Sequence, residues 1–375
     1  MRKIATGLSD VRVGGSYLRF VKMVRTLAEN GFKIVVVSTS PVCVQHPNVL
    51  WKQLGSLSPA FLQTGIFLLI YPFIMMYLAL AKGVGEIIAY GPVYACLLSP
   101  LRLCKKCRIY CMVRGMLSSE YSYQGKNKVL CRLVAFLERT GLHTSHRVIA
   151  VSETLGDRIR KDFGIRPEKI SYLPNEIPDL SQENIDRLYG VKIWKKKLPG
   201  EGLRLFAGGI ITAIKNYELL LEASALLKIP FHLCVAGRPA NQHDTEYFSQ
   251  LKTRVKQLKL EGRVSWLGWL PRERLLGILA SSHLLLGASF HEGMSNIFLE
   301  ALALNIPCLA KKTREAEELL RSDELLFQTP EELAYLVERY HQNEAVRQKI
   351  TTLCRKAKKH WSFNWNERLI ETLLS

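Results

Sequence analysis

The chain has 375 residues, 48% of them hydrophobic and 23% charged, with ordinary Gly and Pro and no short-period repeat. This excludes disorder, a fibrous array and one ordinary core, and predicts two domains of roughly 150 to 200 residues. The formal net charge of +19 is uneven: residues 1–200 carry 29 Lys and Arg against 13 Asp and Glu, and residues 201–375 carry 23 against 20. A basic N-terminal half suits nucleic acid or an anionic membrane, and the lack of any RNP, helix-turn-helix or zinc-finger pattern speaks against nucleic acid as a partner.

The N-terminus runs into a polar, Gly-containing segment rather than a cleavable signal peptide, and nine cysteines lie scattered in mostly apolar surroundings. Reduced thiols and a cytoplasmic location are expected. Cys104, Cys107 and Cys111 lack a fourth ligand, and Cys111 sits in an apolar run, so no metal site is expected there. Further along, 32–38, 85–90, 108–113 and 147–151 read as buried parallel strands with helices between them, such as 17–30. The uncharged run 65–81 contains Pro72 and is 17 residues long. A span needs about 20 residues, so the run reads as a buried or interfacial helix bent at Pro72, with a transmembrane helix as the alternative.

After 173–178 the pattern loosens into a basic stretch ending at 194–200, read as an interdomain linker. Alternation then restarts: strands are predicted at 203–207, 231–236, 264–267, 283–287 and 307–310, and helices at 217–227, 272–281 and 297–304. A polar helical tail closes the chain over 330–375. Two doubly wound sheets would each offer a ligand crevice at the carboxyl ends of their strands.

The most informative segment is 289–310, where a strand gives way to a loop carrying Glu292 and Gly293, Ser295 or Asn296 caps a helix, and Glu300 lies about one turn inside it. Backbone amides at 293–297 and the positive end of the helix dipole suit a phosphate, and two carboxylates suit sugar hydroxyls. The plainer reading makes both acids dipole-compensating residues.

The pattern Ser-x-x-Glu-Gly-Met-x-Asn-x-x-x-Glu-Ala-Leu-Ala-x-x-x-Pro resembles the signature of glycosyltransferase family 4, the group 1 glycosyltransferases. The resemblance implies a GT-B architecture, two Rossmann-like α/β domains facing a cleft. It also implies retaining transfer from a nucleotide sugar, a UDP- or GDP-sugar, to a glycan or lipid-linked acceptor. It places Glu292 on the donor sugar and Glu300 on the ribose, with the backbone of Gly293, Met294, Ser295, Asn296 and Ile297 alongside. Gly14 and Gly15 resemble the family's Gly-Gly loop at the donor phosphates; by themselves they mark only a tight turn. In 207–216, Lys215 stands in the position of the Lys that clamps the diphosphate. Gly209 stands where the family has Arg, which leaves Arg238 as a candidate replacement. The run 111–117 resembles an Arg-Gly-Met-Leu variant that makes Arg114 a cleft cation, with pairing to Glu138 as the structural alternative. The resemblance implies domains at 1–180 and 181–355, with a tail of about 356–375 packing back on the first.

Such transfer builds negative charge on the departing diphosphate, which Lys215, Arg114 and backbone donors would stabilise while Glu292 orients the sugar. No metal cofactor is expected, and no Asp-x-Asp motif is present. The basic half and the 65–81 run predict a peripheral protein at the inner face of the cytoplasmic membrane, acting in envelope polysaccharide assembly. Two other functions fit parts of the pattern: a glycoside hydrolase using both glutamates, and a non-catalytic nucleotide-sugar-binding or scaffold protein.

Overall fold

The computed structural model describes residues 2–9, 15–39, 42, 44–54, 60–104, 107–123, 125–181, 183–198 and 201–374, without the side chains of 15, 16 and 60–63. The chain divides into two compact units, Met1–Pro174 with Asn364–Ser375, and Asn175–Phe363. The break therefore falls earlier than the expected 180, and the return later than 356. Hydrogen bonds explain both shifts. Asn175 is bonded to Met294, and the Ile177 N–H donates to the Trp361 carbonyl at 2.9 Å, which ties 175–177 to the second unit. The helix Glu344–Trp361 runs unbroken through 356 and ends on the buried Trp361, whose Nε1 donates to the Leu319 carbonyl.

The first unit holds a seven-stranded sheet: β1 Lys3–Leu8, β2 Lys33–Ser38, β3 Val49–Gln53, β4 Glu86–Ala89, β5 Arg108–Val113, β6 Arg147–Ala150 and β7 Ile170–Tyr172. Its order is β3-β2-β1-β4-β5-β6-β7, with every neighbouring pair parallel. The polar reading of the N-terminus is corrected here, because β1 is an interior strand, between β2 and β4, and is buried from Ile4 to Leu8. Its polar residue is satisfied internally: Thr6 Oγ1 donates to the Ile88 carbonyl at 2.8 Å. Gly7 admits the Tyr71 ring, which a Cβ there would approach to 2.8 Å.

The apolar run is part of a longer helix, Ala60–Ala81, of 22 residues, which continues through Pro72. It is not wholly buried. Phe67, Tyr71, Met75 and Leu78 pack inward, whereas Leu69 is 71% exposed, Phe73 68% and Leu80 66%. The helix Trp365–Leu374 closes the unit: Trp365 is buried, Asn366 accepts from Thr26 Oγ1 at 2.9 Å, and Arg147 donates to the Thr372 carbonyl at 3.0 Å.

The second unit holds β8 Leu203–Gly208, β9 Phe231–Ala236, β10 Val264–Gly268, β11 Leu284–Gly287, β12 Cys308–Lys311 and β13 Leu326–Phe327, in the order β10-β9-β8-β11-β12-β13. These pairs are also parallel. Counted from its own first strand the order is 3-2-1-4-5-6, that of a Rossmann-like sheet, whose switch point lies between the first and fourth strands. The expected linker is instead the helix Arg187–Lys197. It packs backbone to backbone on the helix Arg272–Ala280, since a Cβ on Gly190 would lie 2.0 Å from the Gly277 carbonyl. Trp194 is buried against the same helix and donates to the Ile278 carbonyl at 3.1 Å. The lysines that made the segment look like a linker only clothe its outer face.

Candidate functional site

At the switch point of the second sheet, β8 ends in Gly208 and leads to the turn Ala213–Lys215, and β11 leads through 288–295 into the helix Asn296–Ala303. The two loops meet through Lys215 Nζ, 2.6 Å from Glu292 Oε1. Ser289 Oγ donates to the other carboxylate oxygen at 3.3 Å. Tyr217 lies buried below, and Lys215, Tyr217, Glu292 and Ser295 line one small cavity of about 20 Å³. Burial first, and then the Glu292 carboxylate, push the Tyr217 phenol well above its ordinary value. These groups form a floor of fixed charge under a concave loop edge.

The residue in the place of the family's Arg, Gly209, has φ +136°, a conformation strained for any side chain. A Cβ there would lie 3.6 Å from Lys215 Cε, and the Gly209 carbonyl leaves no room for a Cβ on Gly237, which would approach it to 1.8 Å. The local backbone therefore favours glycine at 209 and makes an Arg there strained. Arg238 lies on the adjoining strand end, where its carbonyl accepts from the Ile211 N–H at 3.1 Å and its exposed guanidinium sits 5.2 Å over the Trp269 ring.

Glu300 is buried in the 296–303 helix, where Oε1 accepts from Arg272 Nη1 at 2.5 Å. Arg272 Nε donates to Glu183 at 3.0 Å, so one guanidinium bridges two carboxylates. Burial opposes the Arg272 charge, but Glu300 and Glu183 outweigh it and hold the group more firmly protonated. Arg272 was not singled out from the sequence, because one Arg after a Pro at a helix start carries no signal. Asn175 was missed for the same reason: its N–H meets Met294 Sδ at 3.1 Å and its Nδ2 donates to the Met294 carbonyl at 3.2 Å, which anchors the loop. The buried Met294 side chain and its carbonyl are thus anchors for the loop.

The N-cap Ser295 makes no side-chain cap to the helix it precedes, so the amides that begin with Asn296 and Ile297 meet no hydroxyl from it. Gly293 lines a second small cavity with Glu292 and Ser295. Ile297 packs over Gly208, where a Cβ would lie 3.5 Å from its Cγ1. His291 is buried and its Nδ1 lies 2.6 Å from Glu315, fixing the residue before Glu292.

Two expected contributors belong to the first unit. Arg114 follows β5 and is half-buried. Its suggested partner Glu138 is fully buried and accepts from the Leu117 N–H at 2.6 Å and from the Ser118 N–H and hydroxyl. Burial pushes that carboxyl up. Gly15 opens the helix Gly15–Glu29, and Gly14 lies outside the described residues. Burial pushes the Cys107 and Cys111 thiols up to about 11 and about 12. Among the described residues no three His, Cys, Asp or Glu side chains gather as metal ligands.

Comparison with known proteins agrees with this geometry. The model for Glycosyltransferase Family 4 matches residues 13–179, and the model for Glycosyl transferases group 1 matches 192–359. The mannosylfructose-phosphate synthase of Agrobacterium fabrum is 27% identical over 170 residues, which are 43% of this chain and 36% of that protein. The match thus spans about a third of that relative. Sucrose-phosphate synthase from Thermosynechococcus elongatus superposes with a TM-score of 0.80 at 16% identity, covering 100% of this chain and 98% of that one. Anabaena HepE in complex with UDP-glucose superposes with a TM-score of 0.77 at 17% identity, covering 100% of both. The two matched segments take in most of the sequence, and the chain belongs to the group 1 glycosyltransferases of the family 4 type, with the GT-B fold of two Rossmann-like α/β units.

Proposed function

We propose that this chain transfers a sugar from a nucleotide-sugar donor to a glycan or lipid-linked acceptor of the cell envelope, with retention of anomeric configuration. The observation that carries the reading is the meeting of Lys215 and Glu292 beside the start of the 296–303 helix, with Glu300 farther along that helix. Breaking the anomeric C–O bond loads negative charge onto the departing diphosphate. Lys215, the amides at the helix start and Arg238 supply donors for that charge, and preorganised donors of this kind are worth about 3 to 4 kcal/mol each. Glu292 accepts from sugar hydroxyls, and Glu300, steadied by Arg272, accepts from the ribose. Because these groups carry the charge, the reaction needs no metal. The HepE complex with UDP-glucose supports a UDP-sugar as donor.

The surplus of Lys and Arg in residues 1–200 and the exposed apolar face of the 60–81 helix support peripheral attachment at the cytoplasmic face of a membrane. Tyr71 is packed against β1 at Gly7, which favours a helix lying in the interface over one crossing it. Purified protein should be offered UDP- and GDP-sugars with and without a chelator, and free sugar, nucleotide diphosphate and glycan products measured. Turnover that survives the chelator is expected. Donor binding without turnover would favour a scaffold, and glycan cleavage without donor a hydrolase.

A further inference from the structure

At the other end of the second sheet, where β8 and β11 begin, a cavity of about 670 Å³ is lined by Lys195, Glu201, Arg204, His283, His341 and Arg347. A strand rises about 3.3 Å per residue, so Arg204 lies roughly 16 Å from Gly209 and the donor loops. Three permanent cations face one carboxylate of the lining. Arg347 is fixed by Glu344 at 2.9 Å and by the carbonyls of Tyr340 and His341 at 3.2 and 2.8 Å.

The hydrogen bonds around Arg204 do not close. Its backbone N–H donates to His283 Nδ1 at 3.1 Å, so the single proton of a neutral imidazole must sit on Nε2. There it meets another donor, Arg204 Nη2, at 2.8 Å. Burial, then Arg204, Arg347 and His341, push His283 down to about 4, which keeps the ring neutral. Arg204 Nε is buried and has no partner among the described residues. Leaving buried donors without an acceptor costs about 1 to 3 kcal/mol each. An acceptor oxygen, such as that of an oxyanion, would satisfy these groups.

We propose that this cavity binds a small phosphomonoester, with the phosphate on Arg204, His283 Nε2–H and Lys195 and the organic body against Val191, Leu198 and Leu203. Phosphate offers several acceptor oxygens to donors that converge from different directions, and the volume lies within the range of small-ligand pockets, about 300 to 1,000 Å³. The site is separate from the donor loops and independent of the transferase reading.

The test is to titrate the full chain with inorganic phosphate and with glucose 6-phosphate, in the presence of saturating UDP, reading heat and the NMR resonances of the His283 ring. Both ligands should move those resonances, and glucose 6-phosphate should bind several-fold more tightly. Lys195→Glu lies on an exposed helix face and keeps the fold; it should weaken binding about tenfold, as expected for losing one charge-assisted contact. Arg204→Gln should abolish the shifts. Unmoved His283 resonances, or equal affinity in Lys195→Glu, would overturn the site. Inorganic phosphate binding as tightly as glucose 6-phosphate would overturn the organic ligand.

Discussion

Lys215 Nζ and Glu292 Oε1 lie 2.6 Å apart although 77 positions separate them in the chain. Their loops leave β8 and β11, which are adjacent and parallel, so the sheet brings an ammonium and a carboxylate to one point. The pair is partly open to solvent, at 20% and 29% side-chain exposure, and exposed pairs of this kind contribute only about 0 to 1 kcal/mol to stability. Lys215→Ala should therefore shift the denaturation midpoint little while lowering turnover about a hundredfold or more, as for loss of one leaving-group donor. Steady-state kinetics beside urea unfolding checks this, and unchanged turnover would remove Lys215 from the site.

The two glutamates should fail differently. Glu300→Gln should weaken binding of the bare nucleotide diphosphate and of the intact donor alike, because ribose contacts persist through the reaction. Arg272→Gln should act in the same direction, since it frees Glu300 from the 2.5 Å contact that positions it. Glu292→Gln should keep nucleotide diphosphate affinity and lose turnover. Calorimetry with the nucleotide diphosphate reads the first two and kinetics the third. The opposite pattern would reverse the assignment.

Gly209→Arg should not restore the clamp suggested by the family pattern. At φ +136° any side chain is strained, although its first carbon would meet Lys215 Cε only at an ordinary contact distance of 3.6 Å. A loss of stability of about 1 to 3 kcal/mol and reduced turnover are expected. A fully stable, more active variant would show that the loop can reshape around the longer residue.

His232 is buried, pairs with Ser265 Oγ at 2.9 Å, and is pushed down to about 4 from 6.5, by burial first and then Lys197. Its unfolded form takes up a proton at higher pH than the folded form, so its contribution to stability is present above about pH 6.5 and is lost as pH falls towards 4. The urea midpoint should decline over that window, and His232→Gln should flatten part of the decline. An equally steep decline in the variant would assign it elsewhere.

Phe73→Asp and Leu69→Asp place charge on the exposed face of the 60–81 helix and should weaken binding to anionic vesicles without disturbing the fold. High salt should weaken it further. Vesicle sedimentation at two ionic strengths checks both effects. Retention by the Asp variants would move attachment to another surface.

The strands at 108–113 and 231–236 were legible to the residue, because strands buried on both faces read as near-continuous apolar runs, broken here only by Arg108 at one end and His232. Interior β1 escaped notice because Thr6 and Gly7 interrupt its run, and only the neighbouring Ile88 carbonyl and Tyr71 ring explain them. Edge strand β3 is mostly exposed and offers no continuous pattern. The sequence by itself determined the α/β class, and short motifs that resemble family signatures singled out Glu292, Glu300 and Lys215 as candidates. Tertiary structure alone decided that Arg272 holds Glu300, that Asn175 anchors Met294, and that position 209 packs against Gly237 in a backbone conformation that favours glycine. Each of those depends on distances between segments that the sheet brings together, and no local propensity encodes such distances.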